Sequence, residues 1–179
     1  MIPQHLSTRR ELARWEHANM TSAVAWVESR PRRGTALSGR FLRTLHERMF
    51  DETWMDAGHY RTVPIGNDVP AWAVPARVED VVAKARRWIQ DASYPPDEIA
   101  VRYHHRLTEI RPFEHGNGRV TRLVADAVAM ELGRTSFTWG AGLGIPASEV
   151  AERYRAALHT ADADDIRPLL AFARSRPAG

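Results

Sequence analysis

The feature that most constrains this chain is a turn with two glycines and an asparagine that opens directly into a helical pattern. Gly116, Asn117 and Gly118 precede an apolar-periodic segment over residues 119–132. Glycines let backbone N–H groups converge because no Cβ stands in the way. A helix that begins there adds its own unpaired N–H groups and the positive end of its dipole. The turn therefore predicts an anion-binding site at a helix N-terminus.

Two arginines strengthen this prediction. Arg119 and Arg122 are three residues apart, so they lie on one side of the helix, and each carries a planar fork of donors that suits phosphate oxygens. Cations at a helix N-terminus oppose its dipole by about 0.3–1 kcal/mol each, and a bound anion would remove that conflict. The predicted phosphate- or nucleotide-binding residues are Gly116, Asn117, Gly118, Arg119 and Arg122.

The stretch over residues 110–122 resembles the signature of Fic-domain (Fic/Doc) proteins, His-Pro-Phe-x-(Asp/Glu)-Gly-Asn-Gly-Arg-x-x-Arg. The matching positions are Pro112, Phe113, Gly116, Asn117, Gly118, Arg119 and Arg122. Residues 54–62 and 137–140 are further similar to the branch called mobile mystery protein B. The resemblance implies a nucleotide, usually ATP, as substrate, and a histidine that removes the proton of a target hydroxyl as it attacks the α-phosphate.

Two positions of the signature differ in this chain. The family's catalytic histidine is Arg111, and its metal-binding acid is His115, with Glu114 one place early. Arginine cannot act as the base because its pKa exceeds about 12. Arg111 could instead clamp phosphate and stabilise transition-state charge, His115 could serve as a displaced base, and Asn117 completes the candidate catalytic set.

The metal position is altered in the same way. Glu114 or His115 is the candidate ligand, but neutral imidazole is a poor ligand for Mg²⁺, which prefers oxygen. We therefore do not expect the usual Mg²⁺ site. Because Arg111 precedes a proline, its backbone is predicted to be extended.

The rest of the pattern predicts a mainly α fold: a single Fic-type helical bundle over residues 1–179, with a core of about 8–173. Seven helical patterns are present, with capping or starting signals at Thr8, Ser38, Pro75, Pro95, the 116–118 turn, Ser148 and Asp165. Residues 60–65 are the one plausible strand pair, with a turn signal at Gly66-Asn67. In the family a β-hairpin flap here holds the target by main-chain pairing, which implies Tyr60, Arg61, Thr62 and Ile65 as flap residues.

The amino-acid composition limits the kinds of partner and the cellular location that we expect for this protein. The chain has no cysteine and a formal net charge of +3, and it lacks both an apolar run of about 18 residues and a signal-peptide core. We expect a cytoplasmic protein that binds no membrane. Nucleic acid is an unlikely partner because the basic residues do not cluster.

Three functions remain open at this stage. The first is a nucleotide- or phosphate-binding enzyme that transfers or processes a phosphorylated or nucleotidyl group by non-standard chemistry, onto a protein or small-molecule target docked at the flap. The second is a pseudoenzyme that binds a nucleotide or partner. The third is a conventional adenylyltransferase in which His115 or His105 is the base.

Glu16 resembles the family's inhibitory glutamate, but Leu12 and His17 break the expected pattern around it, so a structural role is favoured.

Overall fold

The computed structural model describes residues 9–30, 34–66 and 69–175, and the side chains from residue 19 onwards within them. The described chain forms seven α-helices: α1 (Arg9–Ser29), α2 (Gly39–Phe50), α3 (Val74–Gln90), α4 (Pro96–Ile110), α5 (Asn117–Glu131), α6 (Ala147–Asp162) and α7 (Arg167–Ala173). A short 3₁₀ turn, Ala71–Ala73, precedes α3. The predicted mainly α fold is confirmed. The predicted cap Thr8 lies outside the described residues.

Local capping explains where α2 begins, while the starts of α6 and α7 differ slightly from the predicted positions. Ser38 caps α2, and its hydroxyl accepts a hydrogen bond from the N–H of Phe41 at 3.1 Å, as a capping serine should. Helix α6 begins one residue before the predicted Ser148, directly after Pro146. Helix α7 has Ile166 in the capping position, while the predicted cap Asp165 accepts from the N–H of Arg167 just outside the helix.

Helices α4 and α5 form the centre of the molecule. Helix α4 also packs on α3 and α7, and α5 also packs on α1 and α2. Tyr103 and Leu107 of α4 and Val120 and Val124 of α5 are completely buried. Because both central helices are fixed by this packing, the loop that joins them, residues 111–116, has a fixed position as well.

The predicted β-hairpin flap is not formed: no strand occurs in the described chain, and residues 60–66 run without ladder pairing. The predicted turn residue Asn67 lies outside the described residues. Arg61 explains the difference. Its side chain is 3% exposed, and its guanidinium donates to the carbonyl oxygens of Val63, Val69, Ile110 and Arg111. This segment is therefore tied to the end of α4 through one side chain rather than to itself through main-chain pairs.

Arg61 was predicted to contact a target, and its burial corrects that assignment to a structural role. Desolvation by burial also lowers its pKa, with a further contribution from Arg111. Thr62 is exposed, and Tyr60 and Ile65 are partly buried. No helix in the described chain is long and apolar enough to cross a membrane.

We expect Arg61→Met to lower the free energy of unfolding by about 3 kcal/mol or more, since several buried carbonyl oxygens would lose a charged donor together. Denaturant unfolding followed by circular dichroism measures this. Thr62→Ala, an exposed neighbour, is the control and should change stability by less than about 0.5 kcal/mol. Equal midpoints for the two variants would show that the Arg61 guanidinium does not hold this segment.

Candidate anion-binding site

The loop between α4 and α5 is held by donors to its own carbonyl oxygens. Arg61 supplies three of them: its guanidinium binds the oxygens of Ile110 and Arg111, and its backbone N–H donates to Pro112 O at 2.9 Å. The Asn117 amide donates to Phe113 O at 2.7 Å, and its oxygen accepts from Phe113 N–H at 2.9 Å. Asn117, predicted as a catalytic and phosphate-binding residue, thus uses both ends of its side chain to close the loop.

His46 of α2 holds the same loop from the other side. Its Nδ1 accepts from the N–H of Gly58 at 2.9 Å, so its Nε2 carries the proton and donates to His115 O at 3.1 Å. The ring also stacks on Phe113, with centroids 3.7 Å apart. Burial lowers the pKa of His46 to about 4. A neutral imidazole therefore joins residue 58 to the loop at neutral pH.

The two glycines of the turn have different structural roles. Gly116 has φ +70°, and a Cβ added there would lie 2.5 Å from Phe50, so the fold itself requires glycine. Gly118 lies within the first turn of α5, and a Cβ there would meet nothing within 4 Å. Glycine in a helix costs up to about 1 kcal/mol relative to alanine, and nothing in the described packing at Gly118 offsets that cost.

The first turn of α5 leaves donors for an outside acceptor. The N–H groups of Arg119 and Val120 bond to Gly116 O. Within the described residues no acceptor is found for the N–H groups of Asn117 and Gly118, which belong to the turn where a helix leaves such groups unsatisfied. The open space at Gly118 therefore adjoins backbone donors at the positive end of a helix dipole.

Both motif arginines lie against aromatic rings. The guanidinium carbon of Arg119 is 4.7 Å from the ring centre of Phe50, and that of Arg122 is 5.1 Å from the ring centre of Tyr154. Aromatic faces hold guanidinium groups in place without neutralising their charge. Residues 116–119 and 122 thus share the first turns of α5, with one guanidinium against α2 and the other against α6.

Arg111 lies at the entrance of the loop and is exposed. Its backbone is left-handed, with φ 50° and ψ 70°, and not extended as predicted, because it ends α4 by donating its N–H to Leu107 O. Its guanidinium donates to the carbonyl oxygen of Ile65 at 3.3 Å. A permanent cation therefore stands between the end of α4 and the segment at residue 65.

The residues at the metal position do not fit the usual magnesium set. Glu114 and His115 are both exposed, and the His115 ring stacks on Trp54 with centroids 4.4 Å apart. Within the described chain, the side chains grouped closely enough for a metal ion are His105, Glu109 and Asp162, and neither predicted ligand belongs to that group. Glu114 offers one carboxylate and His115 an imidazole, which is not the oxygen-rich set that Mg²⁺ prefers.

A cavity of about 530 Å³ opens beside Arg111. Its wall is formed by Arg111, His105, Thr108 and Glu109 from the α4 side, Leu158 and Asp162 of α6, and Gly66 and Val69. Thr108 Oγ1 lies 3.4 Å from Thr121 Oγ1, in the second turn of α5. The cavity wall therefore contacts α5 through Thr108, and the volume is within the size range of a small-molecule site.

Other candidates have structural roles. Asp126, which could have held Arg119, instead accepts from Phe137 N–H at 2.9 Å and Trp139 Nε1 at 3.0 Å, and burial raises its pKa to about 6. His104 is fully buried and bonds the Tyr154 hydroxyl at 3.0 Å, as its core assignment predicts. The side chain of Glu16 lies outside the described part of the chain.

His46 and Phe50 are the site residues that sequence reasoning did not identify. Both lie on the apolar side of α2 with Leu42, Leu45 and Met49. A histidine within such a stripe is a detectable signal, because a buried polar ring needs hydrogen-bond partners. Its partners could not be named, because they lie 12 and 69 residues away along the chain.

Comparison with known proteins agrees with this geometry. Residues 36–129 match the model of the Fic/DOC family. The "Protein adenylyltransferase fic-1" of Caenorhabditis briggsae is 32% identical over 123 residues, which are 66% of this chain and 22% of that protein. The chain thus spans about a fifth of the length of this curated relative.

Solved structures share the fold. Fic-1 of C. elegans superposes with a TM-score of 0.73 at 24% identity, over 98% of this chain and 51% of that one. The N-terminal Fic domain of a putative cell filamentation protein from Bartonella quintana, with bound ADP, gives 0.72 at 18% identity, over 96% of this chain and 86% of that one. These likenesses extend well beyond the loop and its two helices.

The state of His46 predicts how stability depends on pH. Its pKa is about 4 in the folded chain and 6.5 as the ordinary value, so the unfolded chain binds the proton first as pH falls. The contribution of neutral His46 to the free energy of unfolding should be fully present above pH 6.5. It should decline as the pH falls from 6.5 to 4, by at most about 3 kcal/mol. Unfolding free energies measured across that range should show a shallower decline for His46→Gln. Thr62→Ala, an exposed substitution that leaves His46 and its contacts in place, is the control and should keep the wild-type slope. The same slope in His46→Gln as in wild type would contradict the assignment.

Proposed function

This chain belongs to the Fic/DOC family, and on that premise we propose that it binds a nucleotide by its phosphates at the first turn of α5 and transfers a nucleotidyl or phosphoryl group by chemistry that does not use the family histidine. The curated relatives are named protein adenylyltransferases, which supports nucleotide-group transfer as the class of reaction. The altered chemistry follows from Arg111.

The observation that carries the proposal is the open space at Gly118. A glycine that the packing does not require stands in the first turn of α5, where backbone N–H groups have no acceptor among the described residues, directly before Arg119 and four residues before Arg122. An anion that approaches the backbone closely is the simplest reason for glycine there. Phosphates would bring the needed negative charge, and the arginines would bind them by charge-assisted hydrogen bonds.

The cavity beside Arg111 is the place for the rest of the nucleotide. Arg111, at the start of the loop, and Thr108, which contacts Thr121 of α5, both line it, and its volume of about 530 Å³ accommodates a nucleoside. The Fic domain from B. quintana that shares this fold contains ADP, which supports a nucleotide as ligand.

Arg111 constrains the acceptor. A hydroxyl must lose its proton as it attacks phosphorus, and a guanidinium cannot take that proton. An acceptor oxygen that is already ionised, as in a phosphate or carboxylate, needs no base: it bonds to phosphorus, the bond to the leaving phosphate breaks, and no proton moves. Arg111 would attract such an acceptor and stabilise the charge in the transition state.

The segment next to Arg111 is the proposed docking place for a protein or small-molecule acceptor. Thr62, Val63 and Pro64 are exposed, and the carbonyl oxygen of Ile65 contacts Arg111. Arg61 fixes this segment from the inside. Its exposed main chain borders the entrance of the cavity at Gly66.

One observation favours a second candidate function. The His115 ring is exposed and held against Trp54, so a fixed imidazole stands four residues after Arg111. As the base for a hydroxyl acceptor it would make this chain a conventional adenylyltransferase. Loss of hydroxyl modification in His115→Gln, with nucleotide binding retained, would favour this candidate over the first.

Incubation with nucleotides labelled at the α- or γ-phosphate, followed by mass spectrometry of lysate proteins and metabolites, tests the main proposal. We expect a modified phosphate- or carboxylate-bearing acceptor. Binding without any product would identify a pseudoenzyme that holds a nucleotide or partner. If neither nucleotides nor inorganic tripolyphosphate bind, the proposal is wrong.

Gly118→Ala separates binding from folding. The new methyl group meets no protein atom, so stability should be unchanged or rise by up to about 1 kcal/mol. Affinity for inorganic pyrophosphate should fall by roughly tenfold, because the methyl group occupies the approach to the backbone donors. Calorimetry and thermal unfolding measure the two effects.

Gly116→Ala is the matched control. It should lower stability, since its φ is positive and its Cβ would clash with Phe50. Unchanged pyrophosphate affinity in Gly118→Ala would contradict an anion at this turn.

Arg111→His together with His115→Asp should produce nucleotidyl transfer to hydroxyl groups. The first change restores a proton acceptor, which typically contributes ~10²–10⁴-fold in rate, and the second restores an oxygen ligand for Mg²⁺. Both side chains are exposed, so the fold should be kept. Labelling by α-labelled ATP and GTP, compared with each single variant, measures the gain. The double variant could instead bind nucleotide and label neither itself nor lysate proteins. That result would show that this site differs from its relatives at more than these two residues.

A further inference from the structure

We propose that the nucleotide base recognised in the cavity beside Arg111 is guanine, with Asp162 as the residue that determines this specificity. The inference rests on the proposed function, because it assumes that phosphates lie at the first turn of α5. It concerns the opposite end of the cavity, where the side chains differ in charge from those near the loop.

The cavity is electrically polarised along α4. Arg111 stands at the end next to the phosphate site, and His105 lies six residues earlier, about 9 Å away along the helix. Around His105 the acidic groups are the Asp162 and Glu109 carboxylates, each with an oxygen within 4.8 Å of a His105 ring nitrogen, although Glu109 itself is only two residues from Arg111 along α4. A ligand that spans the cavity would place negative charge near Arg111 and hydrogen-bond donors near Asp162.

Asp162 is held in position and still accessible. Its Oδ1 lies 2.8 Å from Nε2 of His105, whose side chain is only 4% exposed, while the Asp162 side chain is 54% exposed. A carboxylate has two oxygens and about four acceptor sites, so the bond to His105 leaves capacity on both oxygens. A buried ring thus fixes a carboxylate at the cavity wall.

The pattern of donors and acceptors distinguishes the bases. Guanine presents a ring N–H beside an exocyclic amino group, two adjacent donors that match the two oxygens of one carboxylate. Adenine presents an amino group beside an acceptor nitrogen, and that nitrogen would face a carboxylate oxygen with no proton between them. Two hydrogen-bond acceptors would then face each other without a proton to share. A site with that mismatch binds the ligand much more weakly. Of the two purines, an aspartate at this wall therefore favours guanine.

A metal ion is the competing occupant of this cluster, and the geometry disfavours it. Nε2 of His105 bonds Asp162 at 2.8 Å, while Nδ1 on the other side of the ring lies 4.0 Å from Glu109, so each ring nitrogen faces a different carboxylate. Glu109 also accepts from Arg106 with both oxygens, at 2.9 and 3.1 Å. A cation would therefore have to compete with a guanidinium for this carboxylate.

The test compares GDP, IDP, ADP and inorganic tripolyphosphate by calorimetry on the full chain. IDP lacks only the exocyclic amino group of guanine, and tripolyphosphate lacks the base altogether. We expect GDP to bind about tenfold or more tighter than IDP or ADP, the scale of one hydrogen bond to a charged group. Asp162→Asn, which offers one donor and one acceptor, should reverse the preference towards ADP and leave tripolyphosphate affinity unchanged.

Asp164→Asn is the matched control, since Asp164 is 91% exposed and does not line this cavity. It should keep the preference for GDP. Equal binding of GDP, IDP and ADP, with tripolyphosphate also bound, would overturn the guanine inference and leave the proposed function standing. Failure of all four ligands to bind would overturn both. Binding of Zn²⁺ that is lost in Asp162→Asn, without a preference for GDP, would replace the inference with a metal site.

Discussion

The structure depends on satisfying the carbonyl oxygens of a loop that leaves one central helix and enters another. Between α4 and α5 the chain is not helical, yet it lies against buried side chains, where an unpaired carbonyl is costly. Arg61, Asn117 and His46 supply the donors, from three different parts of the sequence. The fold itself therefore holds the loop in one position, as the proposed anion site requires.

This arrangement separates residues that build the site from residues that act at it. Two arginines near the loop illustrate the division: Arg61 is buried and binds only main-chain oxygens in the contacts described, whereas Arg111 is exposed and lines the cavity. The two glycines divide in the same way, since Gly116 is required by Phe50 and Gly118 by no described neighbour. Family resemblance marks all four positions but does not tell the two groups apart.

The electrostatics of the site are consistent with a ligand that has two chemically different ends. Arg119 and Arg122 place two cationic groups on the first turns of α5, and aromatic rings support them without removing their charge. The carboxylates of Glu109 and Asp162 line the cavity beside Arg111. In the proposed complex, long-range attraction would orient the nucleotide before close contacts form, with its phosphates towards α5 and its base towards α6.

The sequence by itself determined the helical class, the glycine turn at the start of α5 and the spacing of its paired arginines, because helical periodicity, glycine turns and helix N-termini are local properties. It also determined that Arg111 cannot be a base, since that follows from the guanidinium alone. Only the tertiary structure decided that residues 60–66 form no hairpin, that Arg61 points inward and that Arg111 is left-handed. Those outcomes depend on contacts between residues as far apart as Arg61 and Arg111. The same holds for His46, which is an ordinary member of an apolar stripe until folding brings Gly58 to one of its nitrogens and His115 to the other.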